Sequence, residues 1–207
     1  MNIAISAELA EIRAGSVLLH GDLLMPPRPR GLVIFAHGRG SSRFSGRNRR
    51  VAETLHIRGY ATLLLDLLTA EEEAVDIYTA EFRFDVARLA ARVRAAVEWA
   101  STAPALVKLP IGLFGASTGA AAALIAAAER PGLVHAVVSH GGRPDLANGA
   151  LPLVHAPTLL IVGGADRDVL EMNRSALRQM RAHAEVRVIN GATHLFDEPG
   201  TLEESER

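Results

Sequence analysis

Ser117 stands between two glycines in Gly115-Ala116-Ser117-Thr118-Gly119, and Asp166 and His194 follow it further along the chain. A hydroxyl, a carboxylate and an imidazole are the parts of an acyl-transfer site. The hydroxyl attacks, the imidazole takes its proton, and the carboxylate holds the imidazole in the useful tautomer. An apolar run at 111–114 leads into Ser117, and a small-residue stretch at 120–130 follows it. The order strand, Gly-x-Ser-x-Gly, helix is what a turn needs in order to lift a side chain clear of the sheet edge. The helix behind it turns its positive end and a free N–H at Thr118 toward the same point. A chance pentapeptide is the competing explanation, and the flanking strand and helix weigh against it.

The partners of Ser117 each have rivals. Asp166, in Gly163-Gly164-Ala165-Asp166, follows an apolar run at 158–162 and is the first choice for the acid. Asp168 stands where a helix cap would, and Asp145 lies on the loop after the preceding strand, so both stay open as alternatives. His194 follows a short terminal strand and precedes Leu195-Phe196, which sets it apart among eight histidines. An oxyanion would be held by the backbone N–H groups of Thr118 and Arg39, the latter in His37-Gly38-Arg39-Gly40. His37 reads as a residue that fixes this loop. Arg143 and His140 are candidates for substrate contact, and Arg39 and Arg143 have the chemistry to grip a carboxylate. The cluster Arg43, Arg47, Arg49 and Arg50 reads as a solvated helix face balanced by Glu53 and the acidic run at 71–73.

These residues need a frame that places strand ends side by side. Residues 3–12 and 16–25 read as edge strands joined at Gly15, and 31–36 and 61–65 as strands buried on both faces. Residues 47–58 alternate charge with Val51, Leu55 and Ile57, a helix stopped by Gly59. The stretch 67–79 reads as a loop with an acidic run. Residues 82–100 form the longest helical pattern, with an apolar stripe from Phe82 to Val97. Strands at 133–139, 158–162 and 185–189 and a helix at 169–182 complete an alternation that implies parallel pairing with helices on both faces. The chemical residues all fall just after strands, where open α/β sheets put their sites.

The bulk composition excludes several classes. At 207 residues the chain is long enough for one domain with a substantial core. It has no cysteine, which removes disulfides, thiolate chemistry and cysteine-based metal sites. A net charge of −1 supplies no general attraction for nucleic acid or an anionic membrane. No long apolar span and no leader-like N-terminus are legible, so the expectation is a cytoplasmic protein without a membrane partner. The histidines lack ligand spacing, and Gly38-Arg39-Gly40 lacks the third glycine of a dinucleotide loop, so neither metal nor cofactor is expected.

Ser117, Asp166 and His194 in this chain order, each after a predicted strand, resemble the α/β-hydrolase superfamily. The small capless form is similar to the dienelactone hydrolase-related group, over nearly the whole chain from His37 to His194. The resemblance implies an α/β-hydrolase fold: one domain over 1–207, with a mostly parallel twisted sheet of about eight strands and helices on both faces. It also implies a Ser-His-Asp serine hydrolase acting on small carboxylic esters, lactones or thioesters. Dienelactone hydrolases proper use a cysteine nucleophile where this chain has Ser117, a departure that bears on substrate and not on fold. Short connections after Ser117 leave no room for a large lid. The rival reading is a catalytically silent domain that binds a small molecule or a protein, and a homodimer is left open. Thr201-Leu202-Glu203-Glu204 carries a capping signature just before Arg207. The family's terminal helix is therefore expected to be missing, with the apolar surface beside 47–58 open or covered by a partner.

Overall fold

The computed structural model describes residues 5–38 and 40–207. Eight strands form one sheet in the order β1-β2-β4-β3-β5-β6-β7-β8. They are β1 (Ser6–Ala14), β2 (Val17–Met25), β3 (Leu32–Ala36), β4 (Ala61–Leu65), β5 (Ile111–Ala116), β6 (Val134–His140), β7 (Thr158–Gly163) and β8 (Ala184–Ile189). β1 and β2 pair antiparallel, β2 joins β4 antiparallel, and every pair from β4 through β8 is parallel. This is the α/β-hydrolase fold, and no described helix is long and apolar enough to cross a membrane.

The strand period of two decides what lies on each face. Leu32, Ile34 and Ala36 of β3, Leu63 and Leu65 of β4, and Ile111 and Leu113 of β5 enter the larger core. There they meet Leu89, Val93 and Val97 of α3 (Val86–Thr102) and the alanine-rich α4 (Thr118–Glu129). The intervening Phe35, Leu64 and Phe114 point the other way, onto Val51 and Ala52 of α1 (Gly46–Ile57). Each fully buried leucine, isoleucine or phenylalanine contributes about 1.5–3 kcal/mol by leaving water, so an inverted register would expose both faces at once.

Two expectations are corrected here. The stretch read as a loop at 67–79 contains α2 (Ala70–Thr79). Thr69 and Glu72 form a capping box, and Glu71, Glu72 and Glu73 sit in the first turn, where the helix dipole favours negative charge. The acidic run is therefore a helix start. The helix expected at 82–100 begins only at Val86, because the Asp85 carboxylate accepts from Arg88 N at 3.0 Å and caps it there. The segment between β6 and β7 carries a 3-10 stretch, Pro144–Leu153, and α5 (Arg167–Gln179) follows β7.

The surface beside α1, expected to be open or covered by a partner, is covered on its Phe35–Phe114 side by the chain's own residues, while a cleft lined by Leu9, Leu24, Ala52 and Leu64 stays open on the other side. α6 (Thr201–Ser205) lays Leu202 across the Phe35–Val51–Phe114 cluster and the Ile161–Ile189–Phe196 cluster. Thr54 of α1 donates to Glu206 at 3.0 Å, and Arg50 pairs with Glu203. A five-residue helix holds here because α1 supplies partners that an isolated turn lacks.

α2 is joined to the body through a buried ion pair. Arg92, 5% exposed, meets both carboxylate oxygens of Glu72 at 2.6 Å and also donates to Leu67 O at 2.6 Å. Burial alone would raise the Glu72 carboxyl, yet hydrogen bonds from Arg92 and Thr69 N–H hold it below the ordinary carboxylate range. Glu72→Ala leaves a buried guanidinium without its anion and removes half of a capping box. The expected loss is about 3 kcal/mol of unfolding free energy by urea titration, against near-neutrality for the exposed Glu71→Ala.

Candidate active site

β5 runs straight into α4 with only Ser117 between them, so one residue must reverse the backbone. Ser117 does so at φ 51°, ψ −121°, a conformation that costs a non-glycine residue of order 1–3 kcal/mol unless its surroundings impose it. Three backbone bonds impose it. Ser117 N donates to His140 O at 3.4 Å, while Arg143 N and Ala120 N donate to Ser117 O at 3.0 and 3.1 Å. Gly119 is required by close approach: a Cβ there would stand 2.5 Å from His37 O and press on Ala36 O. Gly38 is required for the same reason, since its Cβ would lie 2.8 Å from that of Ser117. The loop after β3 therefore touches the nucleophile candidate directly.

Asp166 and His194 come from the ends of β7 and β8. Asp166 occupies the N-cap position of α5 but makes no capping bond. Its Oδ2 lies 2.8 Å from Nδ1 of His194 instead. A carboxylate at Nδ1 puts the ring proton there and leaves Nε2 as a free acceptor. Asp145, the rival acid, holds Arg143 in a two-point fork at 2.8 and 2.7 Å, and Asp168 lies in the first turn of α5. Ser117 and His194 line one cleft of about 420 Å³, together with Thr118 and Gly141. Thr118 N begins α4 and has no acceptor within the helix. Arg39, the other expected oxyanion donor, lies outside the described residues.

His37 fixes the loop that reaches Ser117. Leu67 N donates to its Nε2 at 3.0 Å, so Nδ1 carries the proton and donates to Gly38 O at 3.0 Å. Burial lowers its pKa, in keeping with a neutral ring. Both substrate-contact candidates, Arg143 and His140, line the cleft, and each also has a partner within the protein. Arg143 is neutralised by Asp145, and the His140 ring, 5% exposed, lies between Phe114 and Phe196 with centroids 5.6 and 4.1 Å away. Its Nε2 meets Ser205 Oγ of α6 at 3.0 Å, and Ser205 in turn donates to Leu202 O at 2.7 Å. His140 thus touches Ser117 through its backbone and the His194 loop through Phe196.

The arginine cluster pairs differently from the expectation. Arg43 meets Asp66 and Asp22, Arg49 meets Asp22, and Arg50 meets Glu203, all tertiary contacts that Glu53 and the acidic run do not supply. The sequence reading missed Asn48, Phe84 and Leu195, which also line the cleft. Ser45 ahead of Gly46-Arg47-Asn48 was the available signal for the first of these, as a helix cap; nothing local marks the other two.

Burial, with Arg47 and His194 nearby, lowers the His140 pKa to about 4. An unfolded histidine titrates near 6.5, so the unfolded chain gains this proton first as pH falls. The stabilisation is complete above about pH 6.5 and lost toward pH 4, about 3 kcal/mol in all. Urea titrations of the wild type and His140→Phe should diverge over that interval, with the variant showing the shallower pH dependence.

Comparison with known proteins places the chain in a family. The profile of the dienelactone hydrolase family matches residues 19–206. A crystal structure of a dienelactone hydrolase from Anabaena variabilis is 52% identical, with a TM-score of 0.96 over 98% of this chain and 94% of that one. Est1E from Butyrivibrio proteoclasticus shares the fold at 19% identity, with a TM-score of 0.79 over 96% and 94% of the two chains. A protein of Mycobacterium tuberculosis named "Putative phosphoribosyl transferase" is 53% identical over 197 residues, which is 95% of this chain and 44% of that protein. The chain therefore spans less than half the length of the curated relatives it matches. With a family profile over most of its length and a half-identical relative over nearly all of it, this chain belongs to the dienelactone hydrolase family.

Proposed function

We propose that this chain is a serine hydrolase that cleaves small carboxylic esters through an acyl-enzyme. The observation that carries the reading is the Asp166–His194 pair at 2.8 Å, on one cleft with a Ser117 held in a left-handed turn. Ser117 Oγ attacks the ester carbonyl carbon as His194 Nε2 takes its proton. The developing oxyanion is held by backbone N–H groups of Thr118 and Arg39. His194 then returns the proton to the departing alkoxide, and water repeats the sequence to release the acid and free Ser117. Asp166 stabilises the imidazolium that forms in both halves. Family membership supports hydrolysis; the serine in place of the cysteine of dienelactone hydrolases proper leads the reading to esters in general. The phosphoribosyl transferase in the Mycobacterium relatives' name belongs to proteins more than twice as long as the stretch they share with this chain.

A fluorophosphonate probe tests the mechanism directly. Labelling should fall on Ser117 and vanish in Ser117→Ala, which should retain wild-type stability within about 1 kcal/mol because it deletes one hydroxyl. Asp166→Asn should lower kcat about 10⁴-fold on activated esters, since the amide favours the wrong tautomer. A folded chain that takes no label and turns over no ester would instead be a binding domain.

A further inference from the structure

We propose that the N-terminus of α1 is a phosphate subsite of the cleft, taking a phosphate carried on the alcohol portion of the ester. The substrate class is thus an O-acyl ester of a small phosphorylated alcohol. This rests on the reading of Ser117 as nucleophile, and the subsite itself can be tested without turnover.

Four observations converge. First, α1 is twelve residues long and opens into the cleft beside Ser117, with Ser45, Arg47 and Asn48 on the lining. The first-turn N–H groups of Gly46 and Arg47 have no acceptor within the helix, and the dipole favours an anion there. Second, Asn48 is 6% exposed and lines the cleft. Its backbone N–H is taken by Ser45 Oγ at 3.3 Å, and its side-chain amide, on the cleft lining, makes no hydrogen bond to another described residue. That amide is free to donate to a ligand in the cleft.

Third, Arg47 is the least committed cation of its cluster. Its one ion pair is at 3.4 Å, to an Asp197 side chain that is 67% exposed, whereas Arg143 across the cleft is tied to Asp145 in a fork. Fourth, the described cleft lining includes Arg47 and Arg143 and not one carboxylate. An anion entering it meets no like charge on the wall.

The number of donors selects the ligand. Arg47, Asn48 and Ser41 are on the cleft lining and carry a guanidinium, a side-chain amide and a hydroxyl, next to the free first-turn N–H groups of α1. A planar carboxylate has two oxygens to offer them, while a phosphate monoester has three acceptor oxygens and more charge. In the reaction water adds across the ester and the acyl C–O bond breaks. A carboxylic acid and the phosphorylated alcohol leave, and the phosphate ester bond is untouched.

Inorganic phosphate and malonate are titrated into 15N-labelled protein, wild type and Ser117→Ala. The expected result is phosphate-dependent shifts of the Gly46 and Arg47 amides and the Asn48 side-chain amide in both proteins. Arg47→Gln should weaken the phosphate titration about tenfold. With glycerol-phosphate and glycerol esters of one acid, the ratio of kcat/KM should fall by a similar factor in Arg47→Gln. Asn48→Asp, which replaces a donor with a charge, should abolish the shifts while keeping the fold. Shifts confined to other surfaces, no shifts at millimolar phosphate, or binding of malonate in place of phosphate would overturn the subsite. Phosphate binding by a chain that hydrolyses no ester would uphold the subsite and overturn the hydrolase reading instead.

Discussion

The structure depends on one backbone reversal at Ser117. A residue with a Cβ is held at positive φ between a buried strand and a buried helix, a conformation that a free peptide leaves. It persists because its N–H and carbonyl are bonded to the ends of β6 and the segment beyond, and because glycines let β3's exit loop press against it. The parallel order β3-β5-β6 is what brings those groups to one edge. Remove that neighbourhood and the serine would relax into ordinary helix or strand, with its hydroxyl no longer raised above the sheet.

A second constraint links the base to the opposite side of the sheet. His140 contributes its carbonyl to Ser117 and its ring to Phe196, two residues beyond His194. Phe196 itself sits at φ 56°, so the His194 loop is strained and is held by packing as well as by hydrogen bonds. Ser205 of α6 completes the chain of contacts, and Arg50 and Thr54 of α1 hold the residues around it. The short terminal helix is therefore part of the support for the site, although it lies on the far face of the sheet from α3 and α4.

Charge is distributed with equal economy. Of the arginines near the cleft, Arg43, Arg49, Arg50 and Arg143 are answered by Asp22, Asp66, Glu203 and Asp145. Those pairs fix loops and helices to the sheet edge. Among the described arginines on the cleft, Arg47 has only a loose, exposed partner, so positive charge is available there without the protein carrying net positive charge.

Much of this was legible in the sequence because it is written in local patterns. Buried parallel strands read as short apolar runs, the serine's turn reads as paired glycines, and acidic and imidazole residues just after strands fall at the sheet's carboxyl edge by topology alone. Local reading failed where two patterns competed. The acidic run at 71–73 looked like solvated loop although Thr69 and Glu72 spelled a helix cap, and Phe82 extended the stripe of α3 toward the N-terminus although Asp85 caps the helix start three residues later. Only the tertiary structure decided which aspartate meets His194, since Asp145, Asp166 and Asp168 all follow strands and differ only in what else is within reach. Arg143 claims Asp145, and the turn after β7 aims Asp166 at the imidazole. The tertiary structure likewise set the His140 ring on the cleft lining with a partner in Ser205, sixty-five positions away, and put Asn48 on the same lining, neither of which a local pattern records. Periodicity determines which face of an element is buried; which polar groups find one another is settled by where the sheet order brings their ends.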